Sequence, residues 1–182
     1  MSSEQPGIKQ LRKKTGLRQL YKDYKGEHEP QIEIAFLLQD WDDPYNVGGM
    51  FRVADACGAK ELVMTGKTPM PPHPQIHVTS MGHHRRIKHR HFKVHEEAAL
   101  ALKAEGYALI AIEIAEGAVP HVEFDYPSKV AFILGNEVNG VYNSVMKHRD
   151  GAVYVPMLGK GRSMNVHVSA AVVAFEALLR QK

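Results

Sequence analysis

Three segments of this chain combine polar side chains with glycines in the way a ligand site requires. The first, Asn46-Val47-Gly48-Gly49-Met50-Phe51-Arg52, sets Gly48 and Arg52 four residues apart, on one face of a helix. Glycine lets a backbone or ligand approach closely. An arginine among Met50, Phe51, Val53 and Ala54 is expected to be partly buried and to need an anionic or carbonyl partner, either a ligand or a carboxylate such as Asp55 or Glu137. The second, Gly135-Asn136-Glu137-Val138-Asn139-Gly140, directly follows an apolar run ending at Leu134. A glycine-bounded turn at a strand's C-terminal end exposes backbone N–H and C=O groups that suit an adenine or a ribose. The third runs from Val155-Pro156-Met157 through Leu158-Gly159-Lys160-Gly161-Arg162 to Ser163-Met164-Asn165. Ser163 or Asn165 can cap a following helix, and Lys160 and Arg162 beside such a cap are placed to hold a phosphate.

Other chemistries fit less well. His73, His77, His83, His84, His89, His91 and His95 lie in a loop-like basic stretch without cysteine, so no metal site is expected. Cys57 sits in an apolar helix beside Ala54 and Ala56, where a thiol is filler and not a nucleophile. There is no G-x-G-x-x-G, which argues against an ordinary dinucleotide fold.

The elements that must position these segments follow from the hydrophobic pattern. Short apolar or β-branched runs at 32–38, 61–64, 107–114, 129–134 and 152–155 read as buried strands. Helices are expected over 46–57, with Asn46 as cap and Gly58 as stop, over 96–105, as a short piece within 138–148, and over 166–180. The last of these carries Val168, Val172, Phe175 and Leu179 as its apolar residues. Pro69 to Pro74 must be loop. Strands alternating with helices imply an α/β fold, a mostly parallel sheet with helices on both faces.

With 182 residues, 44% of them hydrophobic and 24% charged, the chain suits one folded domain, assigned to 31–182, preceded by a basic arm at 1–30 with room for one short helix. No stretch is long and apolar enough to span a bilayer, no signal peptide is evident, and the single cysteine suits a reducing compartment, so a cytoplasmic protein without membrane contact is expected. The net charge of +3 is too small to indicate nucleic acid by itself, but its distribution is uneven. Arg12, Lys13, Lys14 and Arg18 crowd the arm beside Tyr21 and Tyr24, and Arg85 and Arg86 open a second basic run over 83–93. Either cluster could be a solvated surface or an RNA contact.

The three segments, ordered and spread over about residues 32 to 180, resemble the motifs of the SPOUT superfamily, and within it the TrmH-like (SpoU) RNA 2′-O-ribose methyltransferases. The resemblance implies a C-terminal trefoil knot, a homodimer with Asn46 and Arg52 near its interface, and S-adenosyl-L-methionine as cofactor. It implies cofactor contacts from Leu134, Gly135, Asn136, Glu137, Gly140, Val155, Met157, Leu158, Ser163, Met164 and Asn165. The catalytic group would be Arg52 with Asn46, Glu137, Ser163 and Asn165. RNA would be held by Arg12, Lys13, Lys14, Arg18, Arg85, Arg86, Lys160 and Arg162. Because a guanidinium stays protonated, Arg52 is expected to hold the target phosphate and stabilise the developing alkoxide, the proton passing to phosphate or water. The compact chain favours tRNA over rRNA. The alternatives are a non-catalytic RNA-binding protein retaining the fold, another nucleotide-dependent α/β enzyme, and a methyltransferase acting on a base nitrogen.

Overall fold

The computed structural model describes residues 10–161 and 163–180, and it divides into two units that meet at Pro30 and Gln31. In the first, α1 (Lys14–Glu27) runs through both Gly16 and Gly26 and has no buried residue. It is longer than the short helix expected there, and Tyr24 stacks on His28 with ring centroids 4.2 Å apart.

The second unit holds a seven-stranded sheet whose paired strands are all parallel. Its strands are β1 (Glu33–Gln39), β2 (Glu61–Thr65), β3 (Lys88–Phe92), β4 (Ala108–Ile112), β5 (Val119–Pro120), β6 (Lys129–Leu134) and β7 (Gly151–Tyr154), in the spatial order β3-β2-β1-β6-β4-β7-β5. The period of two along each central strand feeds two separate cores. Ile34, Phe36 and Leu38 of β1, with Val130, Phe132 and Leu134 of β6, join the residues of α2 (Pro44–Cys57) and α6 (Val166–Leu179). Ala35 and Leu37, with Ala131 and Ile133, face α4 (His95–Ala104) and α5 (Asn143–Met146) instead. Helices therefore cover both faces, and the runs at β1 and β6 are continuous because both sides are buried.

Several local expectations are corrected. The cap of α2 is Asp43, whose side chain accepts from the Tyr45 N–H at 2.8 Å, with Pro44 opening the helix. Asn46 thus lies inside the first turn and its side chain is left for other partners. Gly58 does end α2, in the left-handed region at φ 70°. The basic run expected as loop contains β3, an edge strand in which Arg90 forks onto Glu105 at 2.7 and 2.8 Å and reaches buried Glu61 at 2.9 Å. A helix α3 (Pro74–Ser80) also lies where no element was expected. In α6 the inward residues are Ala170, Val173, Ala174 and Ala177, whereas Val168, Val172, Phe175 and Leu179 are exposed.

Candidate active site

At the C-terminal ends of the neighbouring strands β6, β4 and β7, where an α/β sheet presents ligand-binding loops, lies a cleft of about 490 Å³. Leu134, Gly135, Asn136, Glu137 and Gly140 line it after β6, and Val155, Met157, Ser163, Met164 and Asn165 line it between β7 and α6. Leu158 is the exception among the residues assigned to cofactor: it is fully exposed and outside this lining. Ile112, Glu113, Ile114, Val138, Tyr154, Val166 and Ser169 complete the walls and were not anticipated. For Glu113 a signal existed, since it stands at the end of an expected strand, where such sheets place ligand-facing groups.

The loop after β6 is tight. A Cβ on Gly135 would lie 2.1 Å from the Gly140 carbonyl carbon, so only glycine allows the two backbones to pass. Asn136 and Gly140 exchange both backbone hydrogen bonds, at 3.1 and 2.9 Å. The buried Asn136 side chain works on the protein itself. Its Oδ1 accepts the Val138 and Asn139 N–H groups, and its Nδ2 donates to the Asp40 carbonyl at 2.6 Å. Asn136 is therefore a scaffold of the cleft, and its amide is not free for a ligand.

One hydrogen-bonded chain joins all three sequence segments. Asn46 Nδ2 donates to Glu137 Oε1 at 2.8 Å, and Asn165 Nδ2 donates to Asn46 Oδ1 at 2.9 Å. Asn165 Oδ1 in turn accepts the His167 N–H at 3.1 Å and caps α6. Asn165 thus both caps and lines the cleft, the two roles its position allowed.

Arg52, expected to be partly buried with a ligand or a carboxylate as its partner, is exposed and makes no hydrogen bond or ion pair among the described residues. Both carboxylates that could have held it are engaged elsewhere: Glu137 with Asn46, and Asp55 with Arg86 at 3.2 Å. Its charge is still felt locally. Burial first, and then Arg52, pushes the His167 imidazole below its ordinary pKa, opposed by Asp43. The glycines of α2 serve this chain's own packing. A Cβ at Gly48 would strike Thr79 Oγ1 of α3 at 1.8 Å, and one at Gly49 would lie 3.0 Å from the His167 ring.

The residues assigned to RNA belong to both units. Arg12, Lys13, Lys14 and Arg18 are exposed in the first unit, Arg12 donating to Gln10 at 3.2 Å. Arg85 lies 3.2 Å from His77 Nε2, Arg86 is tied to Asp55, Lys160 is exposed, and Arg162 lies outside the described residues. Among the described residues no cluster of three or more His, Cys, Asp or Glu is arranged to hold a metal, and no helix is long and apolar enough to cross a membrane. Burial pushes the Cys57 thiol up to about 11, as suits filler.

Comparison with known proteins gives this geometry a context. A sequence model described as the SpoU rRNA Methylase family matches residues 33–175. The tRNA (guanosine(18)-2′-O)-methyltransferase of Thermus thermophilus is 34% identical over 150 residues, covering 81% of this chain and 75% of that protein. The 23S rRNA (guanosine(2553)-2′-O)-methyltransferase RlmP of Bacillus subtilis is 30% identical over 155 residues, covering 81% of this chain but 61% of its own length. Among solved structures, an AdoMet-bound rRNA methyltransferase from Sinorhizobium meliloti superposes with a TM-score of 0.77 at 26% identity, over 85% of this chain and 59% of that one. The chain thus spans about three quarters of the Thermus protein and about three fifths of the other two.

Proposed function

This chain belongs to the SpoU rRNA Methylase family, and on that premise we propose that it transfers a methyl group from S-adenosyl-L-methionine to a ribose 2′-hydroxyl of structured RNA, with tRNA favoured over rRNA. The observation that carries this reading is the chain Glu137–Asn46–Asn165, which gathers the three segments at one cleft.

The cleft suits the cofactor. It has the volume of a small-molecule site, it offers Leu134, Val155, Met157 and Val166 as apolar walls, and its tight glycine loop forms part of its lining. When bound, the cofactor supplies an electrophilic methyl on a sulfonium, for in-line displacement by an oxygen. The chain's own residues do the rest. Asn46 and Asn165 fix Glu137 at the cleft edge, and Ser163, which lines the cleft, offers a further hydroxyl for alignment. Arg52, with no protein partner among the described residues, is available to grip the target phosphate through its fork and to stabilise the alkoxide as the 2′-proton leaves to phosphate or water.

Residues 31–182 form the catalytic domain in this reading, and 1–30 form a basic arm that, with Arg85, Arg86, Lys160 and Arg162, guides RNA. The path from β7 through the third segment to α6 makes the family's trefoil knot, and the protein acts in the cytoplasm as a homodimer. The exposed apolar stripe Val168, Val172, Phe175 and Leu179 supports the dimer, because side chains of that kind on one helix face mark an interface. Radiolabelled S-adenosyl-L-methionine offered with tRNA, and separately with ribosomal RNA, tests the substrate. Label in tRNA is expected. RNA binding without label in either acceptor favours the non-catalytic alternative.

A further inference from the structure

Glu113 follows β4 directly and lines the cleft, yet the chemistry above makes no use of it. Each of its oxygens is anchored by one backbone N–H. Oε1 accepts from Ile114 at 2.9 Å, and Oε2 accepts from Val141, across the cleft loop, at 3.0 Å. Gly140 makes room for the group, since a Cβ there would lie 2.5 Å from Oε2 at a backbone φ of +65°. No cationic side chain among the described residues forms an ion pair with it. An ionised carboxylate offers about four lone-pair sites, so each oxygen keeps an open acceptor on a half-buried group that its anchors hold still.

Resting on the cofactor reading, we propose that Glu113 accepts the two ribose hydroxyls of the S-adenosyl cofactor and so selects its nucleoside half. Two open acceptors side by side complement a vicinal diol better than a point cation. The other carboxylate of the cleft, Glu137, is tied through Asn46 to Asn165, which marks that end for methyl transfer. Glu113 is left for the nucleoside. It also fastens the end of β4 to the loop after β6, so binding and loop order act through one carboxylate.

The test is calorimetry of the full chain, wild type and Glu113→Gln, with four ligands: S-adenosylhomocysteine, its 2′-deoxy and 3′-deoxy analogues, and the analogue lacking the α-amine. In the wild type, removing either hydroxyl weakens binding about tenfold or more, as expected for hydrogen bonds to a charged group. In Glu113→Gln that penalty shrinks to within about threefold, while the penalty for losing the amine stays the same in both proteins. Glu113→Asp, which keeps the charge but withdraws it, loses the same hydroxyl selectivity. A common weakening of all four ligands, as a merely structural role would give, overturns the inference. So does selectivity lost only toward the amine. Those two results leave the cofactor reading standing, whereas a wild type that binds none of the four overturns both.

Discussion

Asn46 Nδ2 lies 2.8 Å from Glu137 Oε1, joining two residues 91 positions apart in the chain. The contact exists because the cap of α2 falls at Asp43, three residues before Asn46, which frees an amide inside the first turn to reach the loop after β6. The same amide accepts from Asn165, so one side chain holds the other two segments in register.

Asn46→Ala is therefore expected to lower kcat/KM about 10²-fold, the effect of a small misplacement of aligned groups. Asn46→Asp should be worse, because it sets a second carboxylate against Glu137 and removes the donor. Steady-state methylation kinetics beside thermal melts check this: activity falls in both variants while the melting temperature moves little.

Gly135→Ala should destabilise the domain by about 1–3 kcal/mol, since its Cβ would collide with the Gly140 backbone, which cannot step aside as a flexible side chain would. Gly159→Ala is the control. A Cβ there meets nothing within 4 Å, and its melting curve should superpose on that of the wild type.

The titration of His167 gives a pH prediction with a definite sign. Burial and the Arg52 charge favour its neutral form, so the folded state takes up a proton less readily than the unfolded chain, whose ordinary value is 6.5. Stability attributable to this histidine is present above pH 6.5 and is lost as the pH falls below it. His167→Gln should melt with a weaker pH dependence between pH 7 and 5, read by calorimetry at closely spaced pH values.

Much of the architecture was legible because it was local. Apolar runs gave β1 and β6, and a glycine gave the end of α2. The polar residues Lys88, His89, Arg90 and His91 hid β3, since an edge strand needs little apolar surface and Arg90 is held by Glu61 and Glu105. The four-residue and three-residue spacing of Val168, Val172, Phe175 and Leu179 showed an apolar face on α6 but not whether it faces the sheet; small Ala170, Ala174 and Ala177 let that helix sit close on the sheet, leaving the larger residues outside. The three segments were readable as motifs, whereas the bonds joining them were not, because they depend on which residue caps α2. Glu113 carried a signal in its place at the end of an expected strand, but its anchoring by the Val141 N–H depends on a contact between distant segments that spacing does not show.

That outward stripe supplies a fourth prediction. Phe175→Glu should convert a dimer to monomers by sedimentation velocity without unfolding the domain, because Phe175 is 41% exposed and outside the core. A sedimentation coefficient independent of this substitution, at every concentration tried, would count against a dimer built on α6.

The most direct measurement of the central claim is the position and rate of methyl transfer, by mass spectrometry of nucleosides from RNA treated with S-adenosyl-L-methionine and either the wild type or Arg52→Lys. The account predicts the new methyl on a ribose 2′-oxygen, and a rate about 10²-fold lower for Arg52→Lys, whose point charge cannot replace the fork. A methyl on a base nitrogen, or near-normal turnover by Arg52→Lys, would contradict it.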